Sequence, residues 1–303
     1  MLLDLPLSRG ELDRAGHLRS DSAQLERLWQ KARIIEMLGD RFKCKEGALH
    51  YLSATEVANA PTDRFFLGLD SKKVPYFLIH RADAPTEYPD EYESLRTIGA
   101  KLNSLDIGAA VHALALSQWH QAHQRCAKCG SATISTMGGA VRNCQSCEAE
   151  HHPRTDPAII VLVKDSKDRI LLGRQKIWPA KRFSTFAGFV EPGESFESTV
   201  IREVAEECGG NVTEMRYLGS QPWPFPASIM IAFEATISNP DSVKADGDEI
   251  EEIIWLDRSE IKKKVAAEEL LLPPSISVAR AMINAWYGPQ AKAELVSMET
   301  WRN

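Results

Sequence analysis

Three acidic side chains are spaced so that they would share one face of an α-helix. Glu203, Glu206 and Glu207 occupy positions i, i+3 and i+4. Ser195 is a suitable N-cap and Gly209 a suitable stop, so the sequence predicts a helix between them. Because like charges at this spacing repel, the helix needs a compensating partner. Divalent cations bind carboxylate oxygens, and Mg²⁺ held in this way usually also contacts substrate phosphates. The alternative is an acidic face that is simply solvated.

The same segment predicts how the helix packs. Its apolar residues recur every four positions and form a predicted buried stripe made of Phe196, Val200, Val204 and Cys208. The acidic face lies to one side of that stripe. Arg202, next to the first of the three glutamates, is placed to orient a carboxylate.

A glycine and a further glutamate precede the helix at fixed distances. Gly188 is followed after five residues by Glu194, and after seven more by the run Arg-Glu-Val-x-Glu-Glu-x-Gly at 202–209. This pattern resembles the Nudix box of pyrophosphohydrolases. It departs from the box at Gly210, where a bulky aliphatic residue with a packing role is usual. The resemblance implies an α/β protein whose Nudix domain is an α/β/α sandwich with a mixed sheet.

A proline-rich segment after the box carries two aromatic residues. Residues 220–228 read Ser-Gln-Pro-Trp-Pro-Phe-Pro-Ala-Ser, and the alternating prolines predict an extended, polyproline-like loop. Such a loop would present Trp223 and Phe225 to a flat nucleotide ring with little entropy left to lose. The alternative is a stiff turn that packs both rings in the core. The segment is similar to the signature of NADH pyrophosphatases, which favours the first interpretation.

Four cysteines form two Cys-x-x-Cys pairs, which predict a zinc ribbon. Cys126 and Cys129 are separated by fourteen residues from Cys144 and Cys147. Four thiolates fill a tetrahedral site, so this zinc ion would be structural rather than catalytic. Disulfides are disfavoured because no signal peptide is recognised, and a nucleic-acid-binding ribbon because residues 131–143 hold one Arg and no aromatic residue. NADH pyrophosphatases carry such a ribbon just ahead of the Nudix domain.

Composition and charge fit a water-soluble enzyme. The chain has 303 residues, with 36 Lys and Arg against 42 Asp and Glu, a formal net charge of −6. No global basic field therefore attracts nucleic acid or anionic membranes. The longest apolar run, residues 158–163, is far too short to cross a bilayer. We expect a cytoplasmic protein in which Cys44 and Cys208 are ordinary buried thiols.

Four segments are expected along the chain: an N-terminal α+β domain (1–122), the Cys₄ zinc ribbon (123–153), the Nudix domain (154–290) and a C-terminal tail (291–303). In the first domain the pattern predicts helices at 23–38 and 107–123 and a strand at 76–80. In the Nudix domain it predicts strands at 158–163, 170–173, 184–189, 216–221, 229–237 and 252–256, and a helix at 277–287. The first two of these strands are expected to pair as a hairpin.

The resemblance also implies roles for individual residues. Catalytic Mg²⁺ or Mn²⁺ would be held by Glu203, Glu207, Glu249 and the main-chain carbonyl of Ala187, with Glu206 as a further catalytic acid. Phe189 is expected to stack on nicotinamide. The residues expected to line the substrate site are Arg96, His152, Gln221, Pro222, Trp223, Pro224, Phe225, Pro226, Ala227, Ser228 and Ala279. His152 stands where the family commonly has tyrosine, so a flat ring is kept but made titratable.

The implied activity is hydrolysis of the pyrophosphate bond of NADH or NAD⁺ to nicotinamide mononucleotide and AMP, by a homodimer as in relatives. A sister activity, removal of NAD caps from RNA 5′ ends by the same site, stays open. Other Nudix substrates, such as ADP-ribose or a dinucleoside polyphosphate, are disfavoured by the proline-aromatic segment. A non-enzymatic zinc-ribbon binding module with a decayed hydrolase domain is disfavoured by the complete set of box residues.

Overall fold

The computed structural model describes residues 2–57, 63–81 and 84–296 and divides them into two compact units. The N-terminal unit comprises residues 9–155 and 223–227, and the C-terminal unit comprises 2–8, 156–222 and 228–296. Residues of the expected ribbon therefore share one unit with most of the expected N-terminal domain. The division of the chain into four functional domains stays a prediction. Part of the expected C-terminal tail, 297–303, lies outside the described residues.

The described residues of the N-terminal unit form three α-helices and ten strands. The helices are α1 (Ser22–Trp29), α2 (Leu95–Ile98) and α3 (Ser104–Ala122). The strands are β1 (Arg33–Leu38), β2 (Arg41–Lys45), β3 (Ala48–Leu49), β4 (Tyr51–Leu52), β5 (Arg64–Leu69), β6 (Pro75–Arg81), β7 (Tyr92–Ser94), β8 (Thr133–Thr136), β9 (Val141–Cys144) and β10 (Glu150–His151).

Two sheets organise this unit. The larger has the order β3-β2-β1-β6-β5, with β4 paired to β1 and β7 to β2. Its β1 and β6 are parallel, with Ile34 opposite Phe77. The smaller sheet, β10-β9-β8, is antiparallel and belongs to the segment with the four cysteines. The strand predicted at 76–80 is thus confirmed within β6.

The helix predicted at 23–38 is wrong in its second half. Helix α1 ends at Trp29, and the buried Ile34 and Ile35 belong to β1. Their β-branched side chains suit a pleated strand, and the partner strand lies more than forty residues away. The helix predicted at 107–123 is confirmed as α3, which begins slightly earlier because the Asn103 side chain accepts a hydrogen bond from the Asp106 amide.

The C-terminal unit is built on a six-stranded sheet. Its strands are β11 (Asp156–Lys164), β12 (Ile170–Gln175), β13 (Phe186–Phe189), β14 (Val212–Trp223), β15 (Ser228–Ile237) and β16 (Ile250–Leu256). The last residue of β14, Trp223, is grouped with the N-terminal unit. Its helices are α4 (Phe196–Cys208), α5 (Arg258–Ala266), α6 (Val278–Tyr287) and α7 (Ala291–Glu294). The order is β14-β15-β11-β12-β16, with β13 on β11. Because β11 is parallel to β15 and antiparallel to β12, the sheet is mixed, as predicted.

Alternation along β11 shows why this sheet is covered on both faces. Ile159 and Val161 pack in one core with Val204 of α4. Ile160 and Leu162, which point the other way, pack in a second core with residues of α5 and α6. Because both faces of β11 are buried, its residues must be apolar on both sides of the strand. Helices cover both faces of the sheet, so the predicted α/β/α sandwich is confirmed.

The predicted elements of this unit are largely confirmed. All six strands and the helix at 277–287 are present, and Val163 pairs with Leu171 in the predicted hairpin. The predictions omitted α5 and α7. The expected polyproline-like loop is wrong: β14 continues to Trp223, and a four-residue turn, Pro224 to Ala227, connects it to β15. No helix in the described part of the chain is both long and apolar enough to cross a bilayer.

Candidate active site

Helix α4 positions the acidic residues that the sequence singles out. Ser195 caps its first turn by accepting a hydrogen bond from the Ser198 amide, and Gly209 ends it in the left-handed conformation at φ 67°. Val200, Val204 and Cys208 are fully buried, whereas Phe196 is 42% exposed. The prediction that Phe196 belongs to the buried stripe is therefore wrong. Near the C-terminal end of α4, a Cβ on Gly210 would lie 2.7 Å from Val204 Cγ1. This packing leaves no room for the aliphatic residue usual at position 210.

Arg202 is the hub of the box. Its guanidinium binds both carboxylate oxygens of Glu194, each at 2.8 Å, and donates to Glu203 Oε1 at 2.7 Å and Glu206 Oε2 at 3.0 Å. It also donates to the carbonyl of Phe189 at 2.9 Å. Hydrogen bonds from Arg202 lower the pKa of Glu194 to about 2. Arg202 thus fixes the loop in front of the helix to the acidic face.

Glu203 lies directly against the backbone of β13. A Cβ on Gly188 would fall 1.9 Å from Glu203 Oε1, so only glycine permits this approach. Burial raises the pKa of Glu203, while its hydrogen bond to Arg202 works in the opposite direction. The box glycine and the first glutamate therefore depend on each other sterically.

Glu207 is the most unusual carboxylate of the site. It is 4% exposed, and its Oε2 has no hydrogen-bond partner among the described residues. Burial, followed by the charges of Glu249 and Glu203, raises its pKa to about 9, although the backbone of Ala187 provides a hydrogen bond. A buried carboxyl group without a partner is unfavourable, and neighbouring acids increase that cost. The arrangement fits a bound cation.

Glu249 approaches the same place from the loop before β16. Asp246 folds this loop by accepting hydrogen bonds from the amides of Asp248, Glu249 and Ile250. The exposed Glu249 side chain accepts a 2.7 Å hydrogen bond from Gln175 Nε2. Glu207 therefore interacts electrostatically with Glu203 and Glu249 and is hydrogen-bonded to the Ala187 backbone, and these four residues are here called the acidic cluster. Carboxylate and carbonyl oxygens are the ligands that Mg²⁺ and Mn²⁺ prefer.

Glu206 is oriented differently from the other two helix glutamates. Its side chain is 59% exposed and is paired with Arg202. Spacing alone places it on the acidic face, but the arginine at i−4 draws its carboxylate outward. The structure therefore brings Glu206 into contact with Arg202 but does not add it to the acidic cluster.

The four cysteines meet as a compact group, here called the cysteine cluster. Their Sγ atoms all lie within 4.8 Å of one another. The amides of Lys128 and Ser146 donate to the sulfurs of Cys126 and Cys144, and His151 Nε2 lies 3.3 Å from Cys126 Sγ. Such N–H contacts stabilise thiolate charge. The donor set fits a tetrahedral metal site of the zinc type.

The predicted aromatic segment forms a small cluster in the N-terminal unit. The Trp223 and Phe225 rings meet edge to face at 4.9 Å. The Arg96 guanidinium lies 3.9 Å from the Phe225 ring centroid and 5.2 Å from that of Trp223. Gln118 Nε2 donates a 3.0 Å hydrogen bond to the Pro224 carbonyl. The structure thus brings together Arg96 and the two aromatic residues, all of which the resemblance assigns to the substrate site.

Two residues predicted at the substrate lie instead in the interior. Gln221 is fully buried, where its side chain accepts from the Leu7 amide at 2.9 Å and donates to the Ile276 carbonyl at 3.0 Å. Ala279 on α6 is part of an apolar core. Both side chains are engaged by the fold itself, and the contact of these two residues with substrate stays a prediction.

The other predicted residues remain accessible to different degrees. Phe189 is 61% exposed, and His152 is also exposed. The remaining residues of the segment are distributed as follows: Pro224 is buried, Pro226 exposed, and Pro222, Ala227 and Ser228 half-buried. Contacts made by Gln118 and Gln175 were not identified from the sequence, because a glutamine within a helix or strand gives no local signal of a distant partner.

Comparisons with known proteins extend over nearly the whole chain. The NUDIX domain family matches residues 154–273. The chain is 38% identical over 294 residues to a Mycobacterium bovis protein named NAD-capped RNA hydrolase NudC, covering 92% of this chain and 94% of that protein. Identity to the Mycobacterium tuberculosis protein of the same name is 37%, with the same coverage. A mouse protein named NAD(P)H pyrophosphatase NUDT13, mitochondrial, is 35% identical over 244 residues, 76% of this chain and 69% of that protein.

Proposed function

This chain belongs to the NADH pyrophosphatase subfamily of the Nudix hydrolases, and from that membership we propose that it hydrolyses the pyrophosphate bond of NADH and NAD⁺. The products are nicotinamide mononucleotide, reduced when NADH is the substrate, and AMP. The observation that carries the proposal is the buried Glu207 carboxyl group, which lies beside Glu203 and Glu249 with one oxygen unpartnered. A cation that also binds phosphates accounts for keeping so unfavourable a group.

The chain's own groups divide the work at the acidic cluster. Glu203, Glu207, Glu249 and the Ala187 carbonyl would hold Mg²⁺ or Mn²⁺, and Glu206, which is paired with Arg202, is retained as a further catalytic acid of smaller effect. The bound ions would neutralise phosphate charge and lower the pKa of a water molecule. Arg202 orients Glu203 through the 2.7 Å hydrogen bond, and Gly188 permits its close approach. Phosphoryl transfer depends mainly on such positioning and charge neutralisation.

Aromatic residues are proposed to bind the flat rings of the substrate. Trp223 and Phe225 are held edge to face, and Arg96 lies over both rings. Each aromatic residue brings a large contact area with little conformational freedom to lose. Phe189, whose ring is largely exposed beside the box glycine, is proposed to stack on nicotinamide, and His152 to contact a ring from its exposed position.

Removal of NAD caps from RNA is the second candidate function. It is favoured by the two mycobacterial relatives, whose names state this activity and which align with over nine-tenths of the chain. The bond broken is the same pyrophosphate linkage, so the same acidic cluster would serve both substrates. Parallel assays with NADH, NAD⁺, ADP-ribose and NAD-capped RNA distinguish these activities by their relative kcat/KM.

The cysteine cluster is proposed to hold one structural zinc ion per chain, because four sulfurs within 4.8 Å fill a tetrahedral site. Elemental analysis of the purified protein should give about one zinc per chain. A homodimer is proposed from the resemblance alone, and light scattering at known concentration tests it.

The decisive experiment replaces Glu207 by glutamine, which removes the charge at nearly constant shape. With Mn²⁺ or Mg²⁺, E207Q should lose roughly 10²–10³-fold in kcat on NADH, the range seen when one electrostatic stabiliser is removed. The matched control is E197Q, an exposed glutamate on the same helix, which should keep near wild-type turnover. Retained activity in E207Q with normal folding would overturn the assignment of the acidic cluster.

A further inference from the structure

One side chain of α3 reaches the turn that carries the aromatic residues. Gln118 Nε2 donates to the Pro224 carbonyl at 3.0 Å, joining positions 106 residues apart in the sequence. Pro224 is buried and lies between Trp223 and Phe225. A hydrogen bond to this carbonyl fixes the peptide that joins the two aromatic residues, and the Phe225 amide of the same peptide donates to the Trp223 carbonyl at 2.7 Å.

The two rings depend on a defined backbone for their arrangement. They meet at an interplanar angle of 70° with centroids 4.9 Å apart, and the Arg96 guanidinium lies over both. Arg96 can contact both rings only while Trp223 and Phe225 keep this relative orientation. A rotation of the Pro224 peptide would separate the rings and withdraw one of them from Arg96.

The helix that supplies Gln118 is itself held by the cysteine-bearing segment. Two residues further along α3, His120 is 5% exposed, and its Nε2 lies 2.8 Å from the Gly139 carbonyl. That contact requires Nε2–H as donor, so Nδ1 accepts the 2.9 Å hydrogen bond from Arg142. The ring also stacks on Phe65 at 4.2 Å.

Arg142 completes the connection. Its guanidinium donates to the Thr133 hydroxyl and the Thr133 carbonyl, each at 2.7 Å, and Thr133 in turn donates to carbonyls at the end of α3. Arg142 and Thr133 lie on the paired strands β9 and β8. A helix end fixed at several points of this small sheet is a rigid base for the Gln118 side chain.

We propose that Gln118 is a positioning residue for substrate binding: from a helix fixed to the cysteine-bearing sheet, it orients the Trp223–Phe225 pair. This inference rests on the proposed function, because it assumes that the two rings contact the substrate. It gives the cysteine-bearing segment a role in substrate affinity although it contributes no catalytic group. Loss of Gln118 should therefore affect the binding of substrate more than the chemical step.

The test replaces Gln118 by methionine, which keeps the length of the side chain and removes the donor. Q118M should raise KM for NADH about fivefold, the effect expected for one hydrogen bond, and leave kcat within about twofold of wild type. Q121M, on the exposed face of the same helix, is the matched control and should keep the wild-type KM. Zinc content and the melting temperature of both variants confirm that each is folded.

A second variant tests the connection to the sheet. H120Q removes the Nδ1 acceptor and the stacked ring, so it should also raise KM, and Q118M/H120Q should raise it less than the product of the two single effects. Unchanged KM in folded Q118M would overturn the inference while NADH hydrolysis by the wild type upheld the proposed function. Fully multiplicative effects in the double variant would overturn the link through α3. Inactive wild-type protein would overturn both proposals.

Discussion

The cysteine cluster and the acidic cluster are both groups of potential metal ligands, but they are built in opposite ways. The cysteine sulfurs come from two short stretches of chain, 126–129 before β8 and 144–147 at the end of β9, and lie within 4.8 Å of one another. The acidic cluster draws Glu203 and Glu207 from α4, Glu249 from a loop and Ala187 from β13. Among the described residues, the cysteines alone meet that closely. A set of four protein ligands that completes the coordination of an ion suits a permanently bound structural ion. An incomplete set of protein ligands suits ions that also bind substrate.

The electrostatics of the two clusters differ in the same sense. Backbone amides donate hydrogen bonds to the sulfurs of Cys126 and Cys144, and such contacts stabilise thiolate charge. At the acidic cluster the charges that act on Glu207 are other carboxylates, and burial and repulsion together raise the pKa of Glu207. This difference fits the proposed roles: the cysteine cluster would stabilise the fold through a zinc ion, whereas the acidic cluster would be maintained at a cost to stability, as expected of a functional site.

The largest effect should follow from removing a ligand of the cysteine cluster. Cys144→Ser removes one buried ligand, and we expect zinc to fall from about one to near zero per chain. The N-terminal unit should lose at least about 5 kcal/mol of stability, part of the ~10–16 kcal/mol that structural zinc provides in zinc-finger peptides. Elemental analysis and calorimetry measure both quantities.

Cys44→Ser is the matched control for that change. It makes the same replacement at a buried site of the same unit outside the cluster, and it should keep the zinc ion at a cost of about 1–3 kcal/mol. The comparison between the clusters would fail if C144S retained stoichiometric zinc.

The next largest effect is a gain of stability when Glu207 of the acidic cluster loses its charge. Because the folded pKa of Glu207 is raised to about 9 from an ordinary 4.5, its contribution is fully present below pH 4.5 and is lost as the pH rises towards 9. Without added Mg²⁺ or Mn²⁺, E207Q should therefore be more stable than wild type at pH 8, by about 1–3 kcal/mol, and nearly equal at pH 5. Calorimetry across this pH range gives the difference.

E197Q again serves as the control, because Glu197 is exposed on the same helix. It should follow the wild-type pH dependence. If E207Q were instead less stable than wild type at pH 8, Glu207 would be stabilising the metal-free fold, and the contrast drawn above would be wrong.

How far the sequence predicts these regions depends on how local their determinants are. The caps of α4, its acidic face and the cysteine spacing are set within one or two turns of chain, and all appear in the structure. The strand β1 was predicted as helix, because what holds Ile34 and Ile35 in a strand is pairing with β6, far along the chain. Local pattern does not carry that information.

Side-chain direction was the second limit. Gln221 belongs to the aromatic segment by sequence, yet its two hydrogen bonds run to Leu7 and Ile276 in the interior. The contact from Gln118 to Pro224 spans 106 positions and has no motif. Residue type and spacing, together with the family resemblance for Glu249, Ala187 and Arg96, therefore predicted which segments contribute to the candidate site, while tertiary contacts decided which side chains of those segments face inward.

The smallest effect concerns Glu206, which shares the spacing of the acidic cluster but not its environment. Its carboxylate is exposed and paired with Arg202, and that arginine also has Glu194 and Glu203 as partners. Glu206→Gln should therefore change stability by only about 0.3–0.5 kcal/mol, the usual size for an exposed i,i+4 pair. Turnover should fall by about tenfold or less, since a solvated carboxylate contributes little compared with one held in low dielectric. Steady-state kinetics of E206Q and E207Q, measured in parallel, compare the two losses of turnover. A loss in E206Q as large as that in E207Q would mean that Glu206 leaves Arg202 and joins the acidic cluster during turnover.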